Sequence, residues 1–397
     1  MLRPRHILTL AGCCLATTLF PSVRADTPAP APILPQLKRV ADWMLANPAR
    51  QPIDGWVYAT FYNGLAALEE TPGGEGYHAA LVAIGEKNKW EPAERPYHAD
   101  DICTTQMYLE LYQQDHDAKM IAPTVARFDY VLAHPSPAGL SFDKKNNPHF
   151  LDRWSWCDSL FMAPPAWARL TAVTGNRAYL DEAVKQWWIT TDFLYSKTDH
   201  LFFRDSTYFA KKEKNGAHVY WSRGNGWVIA GVARLLAYMP ADYPDRPKFE
   251  HLLVELATEL KSVQQPDGFW RASLLDPAAY PDKESSGTGL ICYGIAWGIH
   301  HGILDAKTFR PTVDAAWAAL ASSIEPNGKV AHVQPVGAQP DHFDPESTLP
   351  FGTGAVLLAG TEMLFLTGQG PSNTSIPWDR ASNWESGQVP GKSHAGQ

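Results

Sequence analysis

The 397-residue chain predicts an all-α fold, a ring of six helical hairpins. Three observations carry that reading. A turn phrase recurs four times, as HPSPAGLSF (134–142), KTDHLFFRD (197–205), QPDGFWRAS (265–273) and EPNGKVAHV (325–333). After each copy comes a polar or aromatic loop, then a short motif that opens a helix of small residues. These motifs are WSWCDSLFMAPPAWA (154–168), WSRGNGWVIAGVA (221–233), ESSGTGLICYGIA (284–296) and LPFGTGAVLLAG (349–360). The interval is the third observation: roughly 60 residues with no strand pattern in between suggests stacked helical hairpins. Two weaker copies, DGWVYATFYNGLAAL (54–68) and HADDICTTQMYLELY (98–112), bring the total to six. If the six hairpins close into a ring, all six motifs fall at one end, and that end is the expected active site.

Apolar residues recurring three and four apart predict twelve helices. In order and in pairs they are 36–47 with 58–70, 76–88 with 101–115, 118–133 with 158–174, 177–196 with 225–239, 247–264 with 287–303, and 309–324 with 352–367. The first helix of each pair carries more charge and belongs outside. In 247–264, for example, Leu252, Val254, Leu256, Leu260 and Val263 make the stripe that such a helix turns inward. The second carries Gly, Ala and Ser, which suits an inner ring where backbones crowd. Residues 136–157 and 198–222 are too long for mere connections, and loops of that length in a compact domain usually carry function.

Composition agrees. The chain is 45% hydrophobic and 19% charged, ordinary for a soluble globular protein, and closed toroids run longer than average single domains. Residues 36–367 are therefore read as one catalytic domain. Fifteen Trp and 15 Tyr are many; most must be core, but aromatics at this density also suit a surface that holds sugars.

Residues 1–25 read as a secretory signal: Arg3 and Arg5, the apolar run ILTLAGCCLATTLF, and Val23-Arg24-Ala25 as the cleavage site. That run is too short to span a bilayer. Leu10-Ala11-Gly12-Cys13 also fits a lipidation box, which would anchor the protein at Cys13. The apolar stretch before Cys13 is very short, so the cleaved signal is preferred and the expected location is periplasmic or secreted. Residues 26–35, DTPAPAPILP, form a Pro/Ala linker. Residues 368–397, rich in Gly, Ser, Asn and Pro, are expected to be a disordered tail.

Removing the signal takes away three arginines and no acids, so the formal net charge goes from −8 to −11. An acidic surface argues against nucleic acid and anionic membranes as partners. It does not exclude an anionic small substrate, because local positive groups can dominate a pocket. Cys103, Cys157 and Cys292 remain, an odd number in apolar contexts, and are read as buried thiols.

Three motifs could carry chemistry. Asp158 opens a helix between Trp154, Trp156 and an apolar run. A carboxylate there can be a helix cap, but indole neighbours desolvate it and raise its pKa, as a general acid needs. In YHADDICTTQMY, Asp100 and Asp101 again begin a helix. Only one can cap it, so the other is free to bind something, with His98 beside it. The cluster lacks the second His of a metal site. In YWSRGNGW, Trp221, Arg223 and Trp227 bracket a Gly-Asn-Gly turn; the glycines let backbone approach a ligand and the Arg offers a planar fork for a carboxylate. Two acids, an arginine and several aromatics at one end of a ring suit an acidic sugar.

The order HADD, WCDSLFMAPP, WSRGNGW, SSGT with ICYGIAWGI, and FGTGAVLLAG resembles the unsaturated rhamnogalacturonyl hydrolases of glycoside hydrolase family 105. It is more distantly similar to the unsaturated glucuronyl hydrolases of family 88. The resemblance covers roughly residues 36–367 and implies an (α/α)6 barrel. It implies an enzyme that hydrates the C4=C5 double bond of an unsaturated uronic acid at the non-reducing end of a lyase-generated oligosaccharide. On that resemblance Asp158 is the acid/base residue and Asp101 the second catalytic Asp. His98, Asp100, Trp156, Trp221, Arg223 and Trp227 contact the sugar. Where some members carry an active-site His, this chain has LFFRDSTYF; Arg204 is then either a reader of the uronate carboxylate or a partner of Asp205. A conventional inverting glycosidase, a polysaccharide lyase and a non-catalytic sugar-binding protein are the rival functions, and fold alone does not choose among them.

No metal or organic cofactor is expected, since the His and Cys spacings match no standard ligand set. Full activity should survive exhaustive chelation and thiol reduction. Activity lost on chelation and restored by one divalent ion would move His98, Asp100 and Asp101 to a metal site.

Overall fold

Every small-residue segment of the repeat is a buried helix. The computed structural model describes residues 32–368; the signal and lipidation readings, most of the linker and all but the first residue of the expected tail lie outside them. The helices are α1 (Ile33–Ala46), α2 (Trp56–Glu69), α3 (His78–Lys87), α4 (Ala99–Ile102), α5 (Thr105–Asp115), α6 (Ala122–Ala133), α7 (Ser159–Met162), α8 (Pro164–Thr174), α9 (Ala178–Leu194), α10 (Ser222–Leu236), α11 (Arg246–Ser262), α12 (Ser285–His300), α13 (Ala306–Ser322) and α14 (Pro350–Leu366). Helices α2, α5, α8, α10, α12 and α14 pack in that order, and α14 returns to α2, so the inner ring closes. Helices α1, α3, α6, α9, α11 and α13 lie outside it, each burying one face. Helix α11, for instance, buries Phe249, Leu252, Leu253, Leu256, Ala257 and Leu260, with Val254 and Val263 only partly covered. The architecture is the (α/α)6 barrel.

Helix α1 begins at Ile33, so the last three residues of the expected linker are helical. Its Pro35 falls in the first turn, where no N–H is needed. The larger difference is that two expected inner helices are broken. Pro164 and Pro165 cannot donate backbone hydrogen bonds, so 158–174 divides into α7 and α8 at Ala163. In 101–115 the break falls at Cys103 and Thr104. The Thr105 hydroxyl donates to Ile102 O (2.7 Å), and the Gln106 N–H turns to Cys103 O (3.3 Å). Each break leaves a four-residue helix, α4 or α7, at the mouth of the ring, and the two pack on each other.

The repeated turn phrase has one geometry in three of its copies. A residue with positive φ closes it: His200 (51°), Gly268 (86°) and Gly328 (99°). The chain then returns toward the ring, through the two-stranded hairpin of β1 (Tyr195–Ser196) and β2 (Leu201–Phe202) in one copy and an Ile324–Val330 bridge in another.

Where α2, α12 and α14 meet, backbones touch. A Cβ added at Gly64 would lie 2.6 Å from Gly354 O, one at Gly289 would lie 2.9 Å from Ala355, and one at Gly354 would overlap Thr60 O. Gly354→Ala should therefore cost about 1–3 kcal/mol by overpacking. Gly337→Ala, whose added methyl would meet nothing closer than 3.7 Å, should leave stability unchanged. Urea denaturation of the two variants checks the contrast.

Candidate active site

The two breaks build the site. Residues Trp156 and Asp205 form an antiparallel bridge, and the Cys157 N–H donates to Arg204 O (2.8 Å). Upstream, the Thr190 hydroxyl donates to Trp154 O (2.6 Å) and the Ser155 hydroxyl to Phe150 O (2.8 Å). This fixes the backbone of Asp158 just ahead of α7. Its side chain makes no cap bond to that helix, so the carboxylate is not spent on the helix start. Its neighbours are Arg204 Nε, 3.6 Å from Oδ2, and the Cys157 thiol, which donates to Oδ2 at 3.5 Å. Burial pushes its pKa above the ordinary value, against the opposing pull of Arg204.

Asp100 comes from α4. Its backbone N–H donates to His98 Nδ1 (3.3 Å), so His98 caps the short helix. Its carboxyl is pushed up to about 7 by desolvation first and by the charge of Asp158 second. His98 packs on the Trp156 ring at 5.0 Å between centroids. Burial and the charge of Arg95 push its pKa down to about 4, so it is neutral at pH 7. Because Nδ1 accepts from the backbone, its proton sits on Nε2.

Several expected contacts fall elsewhere. Asp101, read as the second catalytic acid, is turned away to Arg95. It accepts from the Arg95 N–H (2.7 Å) and Nε (3.0 Å), and Nη2 completes the fork. It clamps the 93–95 segment instead of facing a ligand. Arg223 is not free for a substrate carboxylate either. It is fully buried, Nη1 donates to Gln334 O (2.6 Å) and Ser286 Oγ (3.2 Å), and Nη2 donates to Pro335 O (2.7 Å). The guanidinium lies between Trp221 and Phe351, 4.3 and 4.8 Å from their ring centres. Desolvation pulls its pKa down to about 10. Trp221 is buried as well and donates from Nε1 to Gln334 Oε1 (2.8 Å). Trp227 is a core residue among Trp56, Phe161 and Phe351. Trp156 is buried against His98. Arg204 realises the second of its two expected roles: Nη1 holds Asp205 Oδ2 at 2.7 Å. The guanidinium also covers Phe142, 5.1 Å from the ring centre.

Sequence reasoning passed over three residues. Trp56, at the start of α2, is half-buried and stacks on Phe351 (5.3 Å). Its signal was present in the weak first copy, DGWVYAT. Glu284, wholly buried, caps α12 by accepting from the Ser286 and Gly287 N–H groups (2.9 and 2.6 Å), and it also accepts from the Gln334 N–H (3.2 Å). Gln334 ties this cap to Trp221 and Arg223, and no motif marks it. Among the described residues no group of three or more His, Cys, Asp or Glu side chains could hold a metal ion.

The glycosyl hydrolase family 88 model matches residues 36–367. The chain belongs to that family. It is 38% identical over 318 residues to an unsaturated 3S-rhamnoglycuronyl hydrolase of Alteromonas sp. (strain LOR), covering 78% of this chain and 77% of that protein. A family 88 glycosyl hydrolase structure from Bacteroides vulgatus is 28% identical with TM-score 0.76, over 84% of this chain and 98% of that one. A structure named as a polysaccharide lyase is 27% identical with TM-score 0.76, over 86% and 99%. The chain is thus a family 88 glycosidase.

The two adjacent acids make opposite predictions. Asp101→Asn loses a charged partner of a half-exposed Arg95 and should cost about 1 kcal/mol, discounted for screening. Asp100 binds its proton more tightly folded than unfolded, so its ionisation destabilises the fold as pH rises from its ordinary range through about 7. Asp100→Asn should therefore raise the melting temperature at pH 8 relative to the parent and lose that advantage at pH 4. Thermal denaturation of both variants at the two pH values checks this.

Proposed function

We propose that this enzyme removes a 4,5-unsaturated uronic acid from the non-reducing end of lyase-generated oligosaccharides by hydrating the C4=C5 bond. Its substrate would be an unsaturated uronyl group linked to rhamnose. The observation that carries the reading is the pair Asp100 and Asp158, close enough that the charge of Asp158 acts on Asp100, both held toward the protonated form, with His98 stacked on Trp156 beside them. Family membership and the name of the Alteromonas relative supply the substrate class.

In this reading Asp158 is the proton donor. Its proton goes to C4, and a water adds at C5 and gives its own proton to the carboxylate pair. The product at C5 is a hemiketal. It opens to a ketone, which frees the ring oxygen as the C1 hydroxyl, and the C1 hemiacetal then releases the neighbouring sugar. One water is consumed and the donor is reprotonated. We assign Asp100, in place of Asp101, as the second acid. It touches the same space as Asp158, whereas Asp101 is committed to Arg95. His98, neutral, presents its Nε2 proton as a hydrogen-bond donor for sugar hydroxyls, and Trp56 is the aromatic left partly open for a ring face. Arg223 and Trp221 act beneath the site, holding the Gln334–Pro335 segment. A periplasmic or secreted location is part of the same proposal, on the signal read in residues 1–25.

A lyase is the second reading, favoured by the name of one solved structure. The sign of one measurement separates them. A hydratase-type hydrolase consumes the ultraviolet absorbance of the unsaturated uronate, and a lyase creates it. Unsaturated uronyl–rhamnose digests should lose absorbance with this enzyme, and saturated oligosaccharides should be inert. Asp158→Asn should lower turnover by at least about 10²-fold, as for other acid–base groups. Near-parental turnover in that variant would remove Asp158 from the mechanism.

A further inference from the structure

Arg204 stands between a committed partner and the acid of the site. Its Nη1 is paired with the buried Asp205 at 2.7 Å, and Asp205 is itself fixed by the Thr207 N–H and hydroxyl at 2.9 and 2.7 Å. One face lies on Phe142. Nε is buried without a hydrogen-bond partner, and it stands 3.6 Å from Asp158 Oδ2. That distance is an ion pair but not a hydrogen bond. A donor left unsatisfied beside the acid of the site costs free energy until something accepts from it. The group that fits is a planar carboxylate, to which Arg presents its fork.

A cation at that distance opposes the function of Asp158, because it favours the ionised form. The donor of a hydration reaction has to carry its proton when substrate is bound. On the proposed hydrolase reading, we infer that the substrate's own carboxylate takes Arg204 from Asp158 and thereby loads the proton donor. The anion accepts from Nε, neutralises the guanidinium, and adds its negative charge to the space shared by Asp158 and Asp100. Asp158 then takes a proton from solvent, so proton uptake is coupled to binding.

The ionisable groups facing Asp158 are few and support the coupling. They are Asp100 from α4, Arg204 with its partner Asp205, Tyr208, Arg223 from α10, and Cys157 beside it. Burial raises Asp158, and Arg204 is the largest force that lowers it. Arg223 also lowers it, but its two Nη groups are taken by carbonyls and by Ser286 and its side chain is wholly buried, whereas Arg204 keeps part of its side chain exposed. Arg204 is the cation whose effect on Asp158 a ligand can cancel. The arrangement also reads the substrate: a neutral ester or amide at the same position leaves the cation uncompensated and the donor less readily protonated.

The test compares pH profiles with real substrate. The alkaline limb of kcat/KM reports the free enzyme and that of kcat the complex. With the unsaturated uronyl disaccharide as free acid, the alkaline pKa of kcat should lie above that of kcat/KM by about one pH unit or more, the effect of one nearby charge. With the corresponding uronamide the two limbs should coincide. In Arg204→Gln they should coincide for the acid too, and the preference for acid over amide should collapse. Arg204→Lys, which keeps a charge but not the fork, should retain part of the separation. Coincident limbs for the acid in the parent enzyme would overturn the inference while leaving the hydrolase reading intact. Absence of turnover on any unsaturated uronide would overturn both.

Discussion

Gln106 stands where two inner helices break, and the architecture of the site depends on it. Pro164 and Pro165 end α7 and strip hydrogen-bond donors from the carbonyls before them. The Gln106 amide replaces one of those donors, from Nε2 to Phe161 O (2.9 Å), and also reaches the next carbonyl, Met162 O (3.1 Å). Its Oε1 accepts from Arg234 Nε (2.9 Å). Arg234 and Arg169 then share Glu110 Oε1 at 3.2 and 2.7 Å, all three side chains essentially without exposure. A buried carbonyl left without a donor costs about 1–3 kcal/mol, and an uncompensated buried charge about 3–5 kcal/mol. The network makes no large net gain in stability, but every alternative arrangement of α5, α8 and α10 would break part of it.

The ring therefore has two kinds of seam. From α10 through α12 and α14 to α2, glycine and alanine let backbones meet, and the helices run unbroken. From α2 through α5 and α8 to α10, polar side chains fill the gaps and the helices are interrupted. Both acids of the site lie on the second side, at the broken ends α4 and α7. Continuous helices would spend the first-turn carboxylates on capping. A displaced four-residue turn leaves Asp158 uncapped, because the segment before it is held by Asp205 and Arg204 through backbone pairing instead.

The ring was legible because its signals are local and repeated. Small residues mark inner helices wherever backbones must approach, and the turn ending in His200, Gly268 or Gly328 recurs with its positive φ. The breaks were half legible. Apolar spacing carries one helix from 158 to 174 straight through Pro164 and Pro165, which mark the break; the break at Thr104 rests on hydroxyl bonds that no pattern announces. The site divides along the same line. Capping logic required that one of Asp100 and Asp101 be committed elsewhere, but the choice depends on Arg95 folding back across a turn. Their company in one motif makes Arg223 and Trp227 look like ligand contacts. Their real partners, Gln334, Pro335 and Phe351, lie more than a hundred residues away in sequence, and a helix that buries all its faces gives no clue to which of them meets the site.

Every arginine at the site is already paired: Arg95 with Asp101, Arg223 with carbonyls, Arg204 with Asp205 and, loosely, Asp158. In a chain of formal net charge −8 this has a consequence for selectivity. An unpaired arginine in a crevice would take any small anion in its surroundings and hold it. A paired one releases only a fraction of its charge, and only to an anion placed against the part of the guanidinium that its partner leaves free. On the proposed reading that anion is covalently fixed to C5, one bond from the carbon that water attacks and two from the carbon that Asp158 protonates. Recognition and proton supply then share one cation, and an anion that arrives without the double bond gains the contact but finds no chemistry to follow.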